Sequence, residues 1–192
     1  MIVLGIRGSP RKNGNSDLLL DEVLRGATDA GAVTDDFRCA RFKISGCLEC
    51  GGCEETGKCV IDDDMQQLYP RLLKADAIVL AVPVFFYAAP AQAKLVIDRC
   101  QALWCKRMLE KSPEQRKSYD GGRGYVVGVG ASRGEKTFLP IQLEARYFFD
   151  ALDMSLEDGL YCKGIEKKGE IEDHPEQLTQ AYELGRTIAG RD

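Results

Sequence analysis

The chain has 192 residues, 8 cysteines against 1 histidine, 44% apolar residues, and 26 Lys and Arg against 30 Asp and Glu, for a net charge of −4. That length suits one domain of about 100–200 residues, whose core needs no covalent staples. A disulfide scaffold is therefore excluded, and one histidine excludes most His-based catalysis and His-rich metal sites. The acidic balance, with no basic stripe interleaved with aromatics, excludes general nucleic-acid binding.

The opening MIVLGIRGSPRKNGNS carries no charged-then-apolar export signal, which predicts a cytoplasmic protein with reduced thiols. The longest uncharged apolar stretch, residues 77–91, holds Pro83 and Pro90 and is shorter than the ~20 residues of a membrane span. No membrane association is expected.

In chain order, residues 2–6 form a continuous apolar run of the kind buried on both faces of a parallel sheet. A loop rich in Gly, Pro, Asn and Ser leads to a helix over 17–30, with Ser16 or Asn15 as N-cap and Gly31 as terminator. Residues 33–44 give a weaker strand and run into a cysteine-rich loop. Asp62, Asp63 and Asp64 then precede a helix over 65–74, where carboxylates favour an N-terminus. The clearest strand is 77–82. One helix is predicted from about Pro90 to Met108, followed by a charged surface loop over 106–124. A strand over 125–130, a helix over 138–152 and a last strand over 156–162 come next. Asp173-His174-Pro175-Glu176 predicts a capping box opening the final helix. Alternating strands and helices without repeat or linker argue an α/β fold with a five-stranded parallel sheet, helices on both faces, and one domain over 1–192. The cysteine-rich segment is an insertion at about 45–62.

Gly8-Ser9-Pro10-Arg11-Lys12-Asn13-Gly14-Asn15-Ser16 joins the first strand to the first helix. In an open α/β sheet ligands sit at the carboxyl ends of strands, and an anion is favoured at a helix N-terminus. The loop lacks the lysine of a nucleoside-triphosphate cradle and the G-x-G-x-x-G spacing of a dinucleotide fold, so a phosphomonoester suits it better. An ordinary polar turn is the alternative. Pro83-Val84-Phe85-Phe86-Tyr87 leaves the third strand, where aromatic and backbone groups could embrace a flat heterocycle; continuation of the core is the alternative. Gly130-Ala131-Ser132-Arg133-Gly134 reaches the same edge from the next strand, with a plain glycine turn as its alternative.

Gly8-Ser9-Pro10-Arg11 with Asn15-Ser16, then Pro83-Val84-Phe85 continuing into Ala91-Gln92-Ala93-Lys94 and Asp98-Arg99, resembles the NAD(P)H-dependent FMN reductases of the flavodoxin-like superfamily. The resemblance implies sheet order 2-1-3-4-5 and noncovalent FMN. It implies that Ser9, Arg11, Asn15 and Ser16 bind the phosphate and that Pro83, Val84, Phe85 and Phe86 line the ribityl chain and ring; Lys12, Tyr87, Ala131 and Ser132, from the same three loops, complete the expected cofactor-binding set. Many members carry Tyr where this chain has Phe85, so that phenol is not available here.

Cys47, Cys50, Cys53 and Cys59 stand as C-x2-C-x2-C-x5-C. Three thiolates at that spacing can each take a different iron of one cluster, and Gly51 and Gly52 permit the tight turns. A structural zinc normally takes two separated knuckles and is the weaker reading; thiols without metal are the bland one. The motif resembles that of the iron-sulfur flavoproteins, a branch of the same superfamily, which implies a [4Fe-4S] cluster beside FMN. Cys39, Cys100, Cys105 and Cys162 lack the spacing and read as small buried hydrophobes, and Asp98 and Arg99 as locally pairing residues.

The function expected is an FMN-dependent oxidoreductase. Electrons come from NAD(P)H or a ferredoxin-type donor and pass to a small-molecule or protein acceptor. The flavin carries the chemistry, so no catalytic acid or base is expected. A non-enzymatic flavodoxin-like electron carrier and a metal-bearing scaffold without flavin are the competing readings. The resemblance also implies a homodimer or homotetramer, with Trp104 and the apolar side of the 90–108 helix near the partner subunit.

Overall fold

The computed structural model describes residues 1–190. Three strands are apolar almost throughout: β1 (Ile2–Arg7), β3 (Ala77–Pro83) and β4 (Gly122–Gly130). Their side chains are buried alternately on the two sides. Leu4, Ile6, Ile78, Leu80 and Val126 enter one core, while Val3, Ala77, Val79, Tyr125 and Val127 enter the other. Strands buried on both faces require a helical layer on each. The first core is closed by α2 (Met65–Lys74), α3 (Ala91–Arg99), α4 (Gln101–Glu110) and α5 (Leu139–Ala151), the second by α1 (Asn15–Asp29) and α6 (Pro175–Ala189).

All pairings in the sheet are parallel. β2 (Val33–Arg38) lies beside β1, then come β3 and β4, in the order 2-1-3-4. The fifth position is filled by two segments, β5 (Met154–Leu156) and β6 (Leu160–Lys163), both paired with β4. The single last strand expected over 156–162 is thus interrupted. Gly159 sits where a Cβ would lie 2.3 Å from the Val126 carbonyl oxygen, so the chain between the segments presses on β4.

Other boundaries moved for identifiable reasons. α1 begins at Asn15 with Gly14 as its cap residue and no side-chain cap, because the Asn15 amide is spent elsewhere: its Nδ2 donates to the Lys167 carbonyl at 2.8 Å and its Oδ1 accepts from the Ile171 N–H at 3.2 Å. Gly31 ends that turn with φ +93°, as expected. The 90–108 helix is two helices meeting at Cys100. The Cys100 N–H turns back three residues, to the Ile97 carbonyl at 3.0 Å, and the Tyr69 hydroxyl donates to the Arg99 carbonyl at 2.8 Å. α4 then runs to Glu110 into the expected surface loop, because Arg107 is buried against Asp150 and Asp153 at 3.1 and 2.7 Å. The capping box before α6 does not form; residues Glu170–Asp173 make a 3-10 turn and His174 takes the cap position without a side-chain bond. Among the described residues no helix is long and apolar enough to cross a membrane.

α1 and α6 approach through glycines. A Cβ on Gly26 would lie 2.0 Å from the Tyr182 carbonyl oxygen, and one on Gly185 would lie 1.9 Å from that of Val23. Both contacts are with backbone, so the helices themselves would have to separate. Gly185→Ala is expected to lower stability by about 1–3 kcal/mol, the usual cost of overpacking. Urea denaturation checks this, and an unchanged midpoint would refute the close-packing account.

Candidate functional site

The carboxyl ends of β1, β3 and β4 point to one edge, where a cavity of about 340 Å³ opens. Ser9, Arg11, Asn15 and Ser16 line one side of it, and Pro83, Val84, Phe85 and Ala131 the other. Its size falls within the range of small-molecule sites. Three separate loops of the sequence therefore meet at the position where strand order reverses between β1 and β3.

The phosphate-side wall suits an anion. Ser9 and Ser16 are buried, and the uncapped N-terminus of α1 begins at the cavity wall, so its positive dipole end is available to a ligand. The loop is held from behind by residues that sequence reading passed over. The Asp17 carboxylate, 1% exposed, takes two bonds from Arg38, at 3.1 and 2.7 Å, and a third from the Asn13 N–H at 2.8 Å. Arg38 also donates to the carbonyls of Ser9 and Arg11 at 3.3 and 3.4 Å. Arg38 closes β2 and Asp17 lies in the first turn of α1, so no local pattern couples them.

The opposite wall is a tight turn. The Val84 N–H donates to the Val129 carbonyl at 2.7 Å, and Phe85 and Ala88 exchange two backbone bonds at 2.9 Å. Phe86 and Tyr87 between them adopt positive φ, +49° and +63°, which is uncommon for aromatic residues. The reading of these aromatics as core does not hold: Phe86 is fully exposed, and Phe85 and Tyr87 are about half exposed, at 46% and 50%.

Of the expected residues, Lys12, Phe86, Tyr87 and Ser132 lie outside the cavity lining. Lys12 lines a neighbouring basic hollow with Arg7, Arg38, Arg41 and Arg71. Ser132 accepts the Gly134 N–H at 3.2 Å and so shapes its own loop. The Asn15 amide points to the segment after β6 rather than serving as a free donor. That segment contributes Ile165 and Glu166 to the lining, and its unremarkable sequence offered no signal.

A second cavity, of about 400 Å³, is lined by all four motif cysteines, Cys47, Cys50, Cys53 and Cys59, together with Asp98 and Arg99. Gly51 has φ +71°, and a Cβ on Gly52 would lie 2.8 Å from the Val60 side chain; one glycine supplies the turn and the other the close approach. Among the described residues no three His, Cys, Asp or Glu side chains converge to hold a single metal ion. The thiols instead surround a shared space. A fifth cysteine joins them from α4: the Cys53 thiol donates to Cys105 Sγ at 3.6 Å. Burial and this neighbour push the Cys53 thiol up. Cys105 is thus more than a core residue, but a partner 52 positions away leaves no trace in spacing.

The 2-1-3-4-5 parallel sheet with helices on both faces defines a flavodoxin-like fold, with the cavity at its switch point. The chain matches the family of NADPH-dependent FMN reductases over residues 1–159, and it belongs to that family of flavin-dependent oxidoreductases. Among curated relatives, an iron-sulfur flavoprotein of Methanocaldococcus jannaschii is 37% identical over 139 residues, covering 71% of this chain and 67% of its own length. Another, from Methanosarcina thermophila, is 35% identical over 144 residues, covering 73% and 71%. In fold the chain is similar to an NAD(P)H:quinone oxidoreductase from Methanothermobacter marburgensis, with TM-score 0.75, 17% identity and 98% of each chain covered.

Two predictions follow the geometry of these cavities. Arg38→Ala frees the phosphate-side loop and leaves the Asp17 carboxylate buried and unpaired; the Kd for FMN should rise roughly tenfold or more, equivalent to ~1.4 kcal/mol, read by quenching of flavin fluorescence. For the thiols, burial pushes Cys39 up to about 12 and Cys162 up to about 11, and raises Cys100 further. The thiolate is the reactive form, so brief iodoacetamide treatment of metal-free protein at pH 8 should label exposed Cys47 and Cys50 and spare these three, as read by peptide mass spectrometry.

Proposed function

We propose that this chain is an FMN-dependent oxidoreductase in which Cys47, Cys50, Cys53 and Cys59 also hold a [4Fe-4S] cluster. The observation that carries this reading is the arrangement of the four thiols around one cavity instead of at one point. Such a cluster needs one thiolate for each iron, spread around a body of several atoms. When bound, the flavin and cluster would supply hydride acceptance and one-electron transfer respectively.

The chain's own residues bind and orient. Ser9, Arg11 and Ser16, with the open N-terminus of α1, would hold the FMN phosphate, while Asp17 and Arg38 keep their loop in place. Pro83, Val84, Phe85, Gly130 and Ala131 would line the ribityl chain and ring; Phe86 and Tyr87, at the exposed tip of their turn, would cover the ring from outside. The sole histidine, His174, stands at the N-cap position of α6, and the chemistry assigned to the flavin requires no acid or base from it.

α3 links the two cavities. The flavin-side turn precedes its first residue and Arg99 of the cysteine cavity is its last, a helix about 14 Å long by helical rise. This supports a route for electrons from NAD(P)H or a reduced protein carrier to a separate acceptor. A homodimer or homotetramer belongs to the same reading: Leu139, Leu143 and Tyr147 form an exposed stripe on α5, and Trp104 on α4 is 40% exposed.

Anaerobic purification with assay of flavin, iron and sulfide tests the proposal. The expected result is one FMN with about four irons and four sulfides per chain, with Cys50→Ser losing most of the iron while keeping the flavin. Flavin without iron or sulfide, even after anaerobic reconstitution, would remove the cluster; a colourless protein that binds no added FMN would remove both.

A further inference from the structure

Arg99 closes α3 with a side chain that has no solvent exposure. Its Nη1 donates to the Ser45 carbonyl at 3.0 Å and to Asp63 Oδ2 at 2.6 Å. Its Nη2 reaches the Ile61 carbonyl at 3.4 Å and Asp63 Oδ1 at 3.2 Å. Ser45 stands two residues before the first motif cysteine and Ile61 two after the last. One guanidinium therefore ties together both ends of the cysteine loop. Asp63 completes the tie by accepting the Ser45 and Met65 N–H groups at 2.9 and 3.0 Å. The local pairing expected for Asp98 and Arg99 applies only to Asp98, which takes Lys94 Nζ at 2.6 Å.

A tie of this sort does not by itself require a buried cation, since apolar residues often replace buried ion pairs without loss. Two further observations point to a ligand. The Arg99 Nε–H is buried and has no partner among the described residues, an expensive state for a charged donor. Among the described residues Arg99 is also the one cation lining the four-cysteine cavity, where Glu49, Glu54 and Asp98 are the other charged lining residues. Tyr69, whose hydroxyl bonds the Arg99 carbonyl, packs from α2 and brings no charge.

We propose that Arg99 is a positioning residue for the iron-sulfur cluster: it holds the cysteine loop closed and sets a positive charge behind the wall of the sulfur-lined cavity. The inference rests on the cluster reading above. It separates two jobs. The forked geometry closes the loop, and the charge favours the more negative, reduced state of an anionic cluster.

The test compares anaerobically reconstituted native protein, Arg99→Lys and Arg99→Gln. Loss of iron to a ferrous chelator and the one-electron midpoint potential, followed by electron paramagnetic resonance, are the readouts. Both variants should lose iron at least tenfold faster, because neither can bond Ser45, Ile61 and Asp63 together. Arg99→Gln should also lower the potential by about 59 mV, a tenfold change in a one-electron equilibrium, whereas Arg99→Lys should hold it near the native value. Equal iron loss in Arg99→Lys and native protein overturns the positioning role, and stands as the deciding result should Arg99→Gln not fold. Faster loss with an unchanged potential in Arg99→Gln overturns the electrostatic role. Native protein that takes up no iron or sulfide defeats the cluster reading, and this inference with it. A loaded native protein with identical variants defeats the Arg99 inference alone.

Discussion

β1, β3 and β4 have no face left for water, and that constraint organises the molecule. Parallel strands buried on both sides must be joined by crossovers, and the crossovers must lay helices on each face. All loops that leave the strands' carboxyl ends then gather along one edge. Because strand order reverses between β1 and β3, the loops after those strands diverge to opposite faces and leave a crevice between them. The edge cavity lies in that crevice, and its walls come from three loops distant in sequence.

The polar residues that shape both cavities are held in a similar way. In each case a carboxylate, buried at Asp17 and partly buried at Asp63, and an arginine from different elements fix a loop by bonding its backbone. Asp17 and Arg38 hold the segment carrying Ser9 and Arg11. Asp63 and Arg99 hold the two ends of the cysteine loop. Burying such pairs costs desolvation, so their value lies less in stability than in selecting one conformation for a loop that would otherwise be free to rearrange. Glycine completes the cysteine loop where no side chain would fit, at Gly51 by its backbone angle and at Gly52 by its closeness to Val60.

α3 gives the two cavities a common frame. Its first turn follows the Val84 to Ala89 segment, and its last residue anchors the cysteine loop. A rigid helix fixes the spacing between two loops far more tightly than the loops could by themselves. Its break from α4 at Cys100 serves the same end, since the Tyr69 hydroxyl donates to the Arg99 carbonyl and the chain turns away just where the guanidinium reaches the two ends of the cysteine loop.

Much of this was legible in the residues alone. Continuous apolar runs marked β1, β3 and β4, because double burial leaves no room for alternation. The run Gly8 to Ser16 predicted a loop suited to an anion, because glycine, serine and a helix start carry that chemistry locally, and its residues line the edge cavity. C-x2-C-x2-C-x5-C likewise predicted four thiols brought close within one short segment, and they line one cavity. What the tertiary structure decided were the partners. Asn15 turned out to be spent on Lys167 and Ile171, Phe86 and Tyr87 stood out in solvent, Cys105 came up against Cys53, and the expected single helix from Pro90 broke at Cys100. Each of these depends on a residue tens of positions away or on the competition for one hydrogen-bonding group. Sequence thus determined which segments are apolar, which can turn and which carry chemistry, for these are properties of neighbouring residues. Only the folded chain decided which polar group answers which, because that choice is made between elements brought together by the sheet.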